Sequence, residues 1–183
     1  SSIVELTKSL GMTVVCVKKL AIHGGSVRVH ISPNEGQNPD VSVNEFFQRE
    51  RKEGYHQLET YLKWAQRVDE LINNLTIQIT KLKVDGARIA AFGASAKGNT
   101  LLNACLIRAN TIDYIVDDTP EKIGKFSPGT GIPIVNRSYL YKNKPDYLVI
   151  LAWNFTDDIL KNTAEYRESG GKYIIPIPNF RII

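Results

Sequence analysis

Arg88-Ile-Ala-Ala-Phe-Gly-Ala-Ser-Ala-Lys-Gly-Asn-Thr100 is the stretch on which the fold turns. Ile89–Phe92 is an apolar run of strand length. Gly93 and Gly98 bracket Ser95 and Lys97, and Leu101, Leu102, Ala104 and Cys105 set out the apolar face of a helix. A strand that passes through a glycine-bounded loop into a helix points backbone N–H groups, and the positive end of the helix dipole, at whatever lies above it. Phosphates are the usual guests of such a loop.

Downstream the same alternation continues. Strands are expected at 88–92, 112–116, 147–152 and 173–177, and helices at 97–107, around 136–142 and at 156–168. Continuous apolar strands separated by helices imply a parallel sheet covered on both faces. Residues 86–183 therefore read as an α/β domain, a Rossmann-like doubly wound parallel sheet. A long helix and a partial β-hairpin from an upstream domain are expected to precede it.

Upstream of Gly86 the pattern is different. Residues 2–10 read as the end of an amphipathic helix closed by Gly11. Met12–Leu20 and Ser26–Ser32 read as strands, Val27, Val29 and Ile31 alternating with Arg28 and His30. Residues 1–40 form the tail of a larger domain on this reading, with Pro33, Gly36 and Pro39 marking a linker. Residues 41–85 form a helical connector, its start signalled by a capping box at Ser42-Val-Asn-Glu45. Leu58, Leu62, Ala65, Val68, Ile72, Leu75, Ile79 and Leu82 keep steps of three and four over about seven turns, one long helix. A helix with so narrow a seam packs against its own chain or dimerises as a coiled coil, and the first is favoured.

Composition narrows the function classes. The 183 residues carry 23 basic and 19 acidic side chains, a formal net charge of +4, with no block of five like charges. General nucleic-acid binding and a polybasic membrane role are poorly supported. No apolar run approaches membrane-spanning length and no signal peptide is visible, so a cytoplasmic location is expected. Cys16 and Cys105 each lie in an apolar segment with no CxxC, and read as reduced core residues. The chain opens Ser1-Ser2 and its single methionine is Met12, as expected for part of something longer.

Three patterns compete for Gly93–Asn99. A dinucleotide fingerprint G-x-G-x-x-G has its first and third glycines in Gly93 and Gly98, but Ser95 stands at the middle position, where a Cβ crowds a pyrophosphate. Asp117 lies where that fingerprint's ribose-binding carboxylate belongs, so NAD binding is weakened rather than excluded. A P-loop requires lysine directly after the second glycine, and Asn99 is there instead. A nucleophile elbow around Ser95 lacks its closing glycine, and His23, His30 and His56 all lie upstream, against the required chain order.

Ligands of open α/β sheets bind outside the carboxyl ends of the strands. That edge carries Ser95, Lys97, Gly98 and Asn99 after the first strand, Asp117 and Asp118 after the second, and Trp153 and Asn154 after the third. Together they offer a cation, hydrogen-bonding groups, carboxylates and an aromatic face. His23, followed by two glycines, sits in a turn where a ligand can approach closely. The three histidines show no metal-ligand spacing, and no metal site is expected.

In chain order, His23-Gly-Gly-Ser-Val-Arg28, Gly93-Ala-Ser-Ala-Lys-Gly-Asn99, Val116-Asp-Asp-Thr-Pro120, Pro128-Gly-Thr-Gly-Ile-Pro133 and Ala152-Trp-Asn154 resemble the C-terminal part of the S-adenosylmethionine-dependent sugar C-methyltransferases. The resemblance covers essentially the whole chain. It implies a parent enzyme that removes a proton beside a keto group of a nucleotide-linked deoxysugar and methylates the enolate. It also implies that S-adenosylmethionine and the catalytic base belong to an upstream domain absent from this chain. No cofactor and no catalytic residue are then assigned here, and the fragment alone is expected to be inactive. Ser95, Lys97, Gly98 and Asn99 are expected near phosphate or sugar, with Asp117, Trp153 and Asn154 nearby. His23 and Arg28 are expected at the border of the sugar or its diphosphate. The expected partner is a nucleotide-diphosphate sugar, with a dimer through the long helix possible. The rival readings are an NAD-type dinucleotide-binding or oxidoreductase domain and a non-catalytic helical assembly module.

Overall fold

The computed structural model describes residues 1–34 and 36–183, without the side chain of His23. The chain divides into two compact units, Ser1–Gln66 and Arg67–Ile183.

In the first unit α1 (Ser2–Ser9) leads through Gly11 to an antiparallel hairpin of β1 (Thr13–Leu20) and β2 (Ser26–Ser32), paired from Thr13 opposite Ser32 to Leu20 opposite Ser26. A 3-10 turn, Ile22–Gly24, joins the two strands. The alternation in β2 leaves Val27 and Ile31 51% and 45% exposed, so the hairpin's apolar residues are only partly covered within the unit. Helix α2 (Val41–Lys52) starts one residue before the expected capping box. Asp40 is its N-cap and accepts the Ser42 N–H at 2.9 Å. The Ser42 hydroxyl instead accepts the Val17 N–H at 2.9 Å, fastening the start of α2 to β1. Asp40 caps the helix in place of the box, and Ser42 is taken up by β1.

Helix α3 (Leu58–Val84) contains neither glycine nor proline across its 27 residues, and it crosses from the first unit into the second. It stops at Gly86, whose φ of +87° suits the left-handed turn that lets its N–H reach the Lys83 carbonyl at 3.1 Å. Within the second unit Leu75 and Ile79 are buried in the core, flanked by Leu71, Ile72 and Leu82. This half of the seam thus packs on its own chain.

The second unit is built on a six-stranded sheet of β3 (Ile89–Phe92), β4 (Ile115–Val116), β5 (Ile134–Val135), β6 (Tyr147–Ile150), β7 (Lys172–Ile175) and β8 (Arg181–Ile182). Its order is β5-β4-β3-β6-β7-β8, parallel except for β8, which runs antiparallel to β7. Counted from β3 the parallel strands lie 3-2-1-4-5, the doubly wound order with its switch point between β3 and β6. Successive residues face opposite sides. Ile89, Ala91, Val149 and Ile174 pack with Leu75 and Ile79 of α3 and Leu101 and Leu102 of α4 (Ala96–Ala104). Ala90, Phe92, Leu148, Ile150 and Tyr173 pack with Leu140 of α5 (Arg137–Lys142), Ile159 of α6 (Thr156–Asn162) and Tyr166 of α7 (Ala164–Glu168). Fully burying each large aliphatic side chain contributes about 1.5–3 kcal/mol, so these two layers hold the sheet.

Two strands appear that periodicity did not indicate. Residues 134–135 and 181–182 are each too short to show a period, and they pair only because β4 and β7 offer open edges. The strand expected at 112–116 narrows to Ile115–Val116, although Ile112 and Tyr114 remain buried. The helix expected at 156–168 breaks at Thr163. This wholly buried residue donates its hydroxyl to the Ile159 carbonyl at 2.6 Å, while its own carbonyl accepts Tyr173 Oη at 2.7 Å. Both cysteines are free thiols, Cys105 buried and Cys16 partly so.

Candidate functional site

The loop after β3 is shaped by contacts that require glycine. Gly93 has φ +91°, and a Cβ there would lie 2.7 Å from Ala152 Cβ. A Cβ on Gly98 would lie 2.6 Å from Leu151 Cβ and 3.1 Å from the Leu151 carbonyl. The glycines thus let the start of α4 close down on the carboxyl end of β6. Ser95 is the N-cap of α4: its Oγ accepts the Gly98 N–H at 3.0 Å and donates to the Leu151 carbonyl at 3.2 Å.

Asp117, only 7% exposed, extends from the end of β4 beneath the same loop. Its Oδ2 accepts the Ala94 N–H at 2.7 Å and Lys122 Nζ at 3.2 Å, and its Oδ1 accepts the Thr119 N–H at 2.9 Å. Burial pushes this carboxyl up, but the hydrogen bonds from Thr119, Lys122 and Ala94 outweigh it and hold its pKa below the ordinary 3.8. Asp118 points elsewhere and pairs with Arg137.

The residues singled out from the sequence fall on different sides of this loop. Ser95 and Asn99 line a cleft of about 500 Å³ between the first turn of α4 and the segment Lys122–Pro128, floored by Ile115, Ile134 and Leu151. Gly98 is buried behind it. Lys97 is exposed, its Nζ 5.6 Å from the centre of the Trp153 ring. Trp153 and Asn154 lie in a 3-10 turn, Trp153–Phe155, after β6, where Trp153 is part-buried against the core. Neither lines the cleft. Arg28 is exposed on β2 in the first unit, and the side chain of His23 lies outside the described residues.

Three cleft residues were not legible as such in the sequence. Lys122 and Lys125 place two cations there, and Phe126 is 66% exposed at its edge. Among the described residues no carboxylate lines the cleft. Asn99 also lines it, and its Oδ1 is buried with no hydrogen-bond partner among the described residues. The run Lys122-Ile-Gly-Lys-Phe126 has the look of an ordinary solvated turn. Only the return of the chain through β5 brings it against α4. An anionic ligand with an apolar portion matches this lining. Among the described residues no group of three or more His, Cys, Asp or Glu side chains is placed to hold a metal, and no helix is long and apolar enough to cross a membrane.

A 3-2-1-4-5 parallel sheet with a glycine-bounded loop opening α4 at its switch point defines a Rossmann-like α/β domain. The chain belongs to the C-methyltransferase C-terminal domain family, whose model matches residues 21–178. It is similar to the C-methyltransferase NovU of Streptomyces niveus, with 34% identity over 183 residues, covering 100% of this chain and 44% of that protein. The chain therefore spans less than half the length of that relative.

Proposed function

We infer that this chain is the C-terminal part of an S-adenosylmethionine-dependent C-methyltransferase of the cytoplasm, acting on a nucleotide-linked deoxy-keto-sugar, and that this part holds the sugar nucleotide. The observation that carries this reading is the cleft beside α4, which sets Lys122 and Lys125 above an apolar floor with no carboxylate among its lining residues. A phosphate-bearing ligand complements that charge, and Phe126 at the rim offers a flat apolar surface.

The second unit is poorly matched to NAD. A dinucleotide site keeps a carboxylate after the second strand for a ribose hydroxyl. Asp117, the residue in that position, already accepts three hydrogen bonds from its own chain. The family resemblance places the catalytic base in an upstream domain, and no residue of this chain is assigned that role. Methyl transfer is assigned to the parent protein and positioning of the sugar nucleotide to this part.

Thermal-shift and calorimetric titration with dTDP-glucose, UDP-glucose, NAD and S-adenosylmethionine test the reading. At least one nucleotide sugar is expected to stabilise the chain, and the other two compounds are not. Stabilisation by NAD alone overturns it in favour of a dinucleotide-binding domain. Methyl transfer from S-adenosylmethionine by residues 1–183 alone would refute the assignment of chemistry to the rest of the parent protein.

A further inference from the structure

Ala94 is held on both sides by the same pair of side chains. Its N–H donates to Asp117 Oδ2 at 2.7 Å, and its carbonyl accepts Lys122 Nζ at 3.0 Å. The same Nζ donates to Asp117 Oδ2 at 3.2 Å, closing a ring of three residues. The ring ties the end of β4 to the loop that starts α4. An ammonium has three N–H donors, and two of those on Lys122 are engaged in this ring. Lys122 also lines the cleft, with its side chain 39% exposed.

We propose that Lys122 contacts the ligand directly, its third N–H donating to an anionic phosphate oxygen in the cleft while the other two hold the Gly93–Asn99 loop in place. This rests on the reading of the cleft as a sugar-nucleotide site. It adds a residue that neither the loop pattern nor the glycine spacing indicates. Asp117 balances the lysine charge without entering the cleft. The ammonium is therefore oriented before any ligand arrives, and binding does not have to immobilise a free lysine. Lys125, which forms no ion pair among the described residues, stands on the same rim for a second negative charge.

The test uses the full chain with inorganic pyrophosphate and with dTDP-glucose and UDP-glucose. In wild-type protein, saturating pyrophosphate is expected to slow acetylation of Lys122 at least about fivefold, read by mass spectrometry, and to leave exposed Lys142 unchanged. Lys122→Met is expected to weaken pyrophosphate binding about tenfold or more and to flatten its salt dependence. Lys122→Arg is expected to recover part of both losses. Equal acetylation of Lys122 with and without bound pyrophosphate overturns the proposal, and because it uses wild-type protein it does so even if the variants fail to fold. Faster hydrogen exchange at the Ala94 amide of Lys122→Met, with unchanged pyrophosphate affinity, reduces Lys122 to a structural tie. If a nucleotide sugar binds wild type and Lys122→Met equally, the proposal fails and the functional reading stands. If wild type binds neither pyrophosphate nor any nucleotide sugar, both fall.

Discussion

The Ala94 N–H donates to Asp117 Oδ2 across 2.7 Å, joining two residues 23 positions apart at the carboxyl ends of neighbouring parallel strands. In dinucleotide-binding sheets the carboxylate in this place is kept for a ribose. Here it is turned inward, and the loop that resembles a cofactor fingerprint is braced by the group that a cofactor would have used.

Replacing Asp117 with Asn should therefore act first on stability. The nearly buried carboxylate accepts three hydrogen bonds, and losing its charge should cost about 1–3 kcal/mol at neutral pH. The pKa is lower in the folded chain than the ordinary 3.8, so this stabilisation is fully present above that value and is lost as pH falls through the folded pKa. Urea unfolding of wild type and Asp117→Asn should give curves well separated at pH 7 that converge below about pH 4. A gap that persists unchanged into acid would contradict the charge-based account.

Gly98→Ala probes the closeness of α4 to β6. The new methyl group would meet Leu151 Cβ at 2.6 Å and the Leu151 carbonyl at 3.1 Å, so the helix start must shift. A loss of about 1–3 kcal/mol is expected, despite alanine's better helix propensity. A rise in Tm would show that the contact is looser than described.

Thr163→Val keeps the volume and removes the hydroxyl at the break between α6 and α7. The residue is fully buried, and its Oγ1 lies 2.6 Å from the Ile159 carbonyl and 2.8 Å from Tyr173 Oη. Loss of both contacts should destabilise by about 1–3 kcal/mol, measured by chemical denaturation. Tyr173→Phe in the same background should cost less than it does in wild type, because the two hydroxyls share one network.

Asn99→Leu separates folding from binding. The Asn99 Oδ1 is buried with no partner, so removing it should leave Tm unchanged or raise it. Asn99 also lines the cleft, so the larger apolar side chain should weaken nucleotide-sugar binding about fivefold to tenfold by calorimetry. A large drop in Tm, or an unaltered affinity, would remove Asn99 from the site.

Local pattern was enough for much of this molecule. Ile89–Phe92 and Tyr147–Ile150 are short apolar runs, and the absence of glycine and proline between Leu58 and Val84 permits one uninterrupted helix. Such signals belong to residues near one another in the chain, and the doubly wound class follows from their alternation. The order of motifs likewise carries the resemblance to the C-methyltransferase family to which the chain belongs.

Tertiary structure alone decided which groups meet. β5 is two residues long, yet it returns Lys122–Pro128 to α4 and so creates the cleft. Ser42 reads as a local N-cap and Asp117 as a ligand carboxylate, yet each bonds a partner from another element, and Thr163 joins its own helix at Ile159 to Tyr173 of β7. A hydrogen bond forms with whatever donor the fold places within about 3 Å, and sequence spacing says nothing of that distance between segments. For the same reason Lys97 of the loop motif and Trp153 lie outside the cleft, while Lys122 lines it.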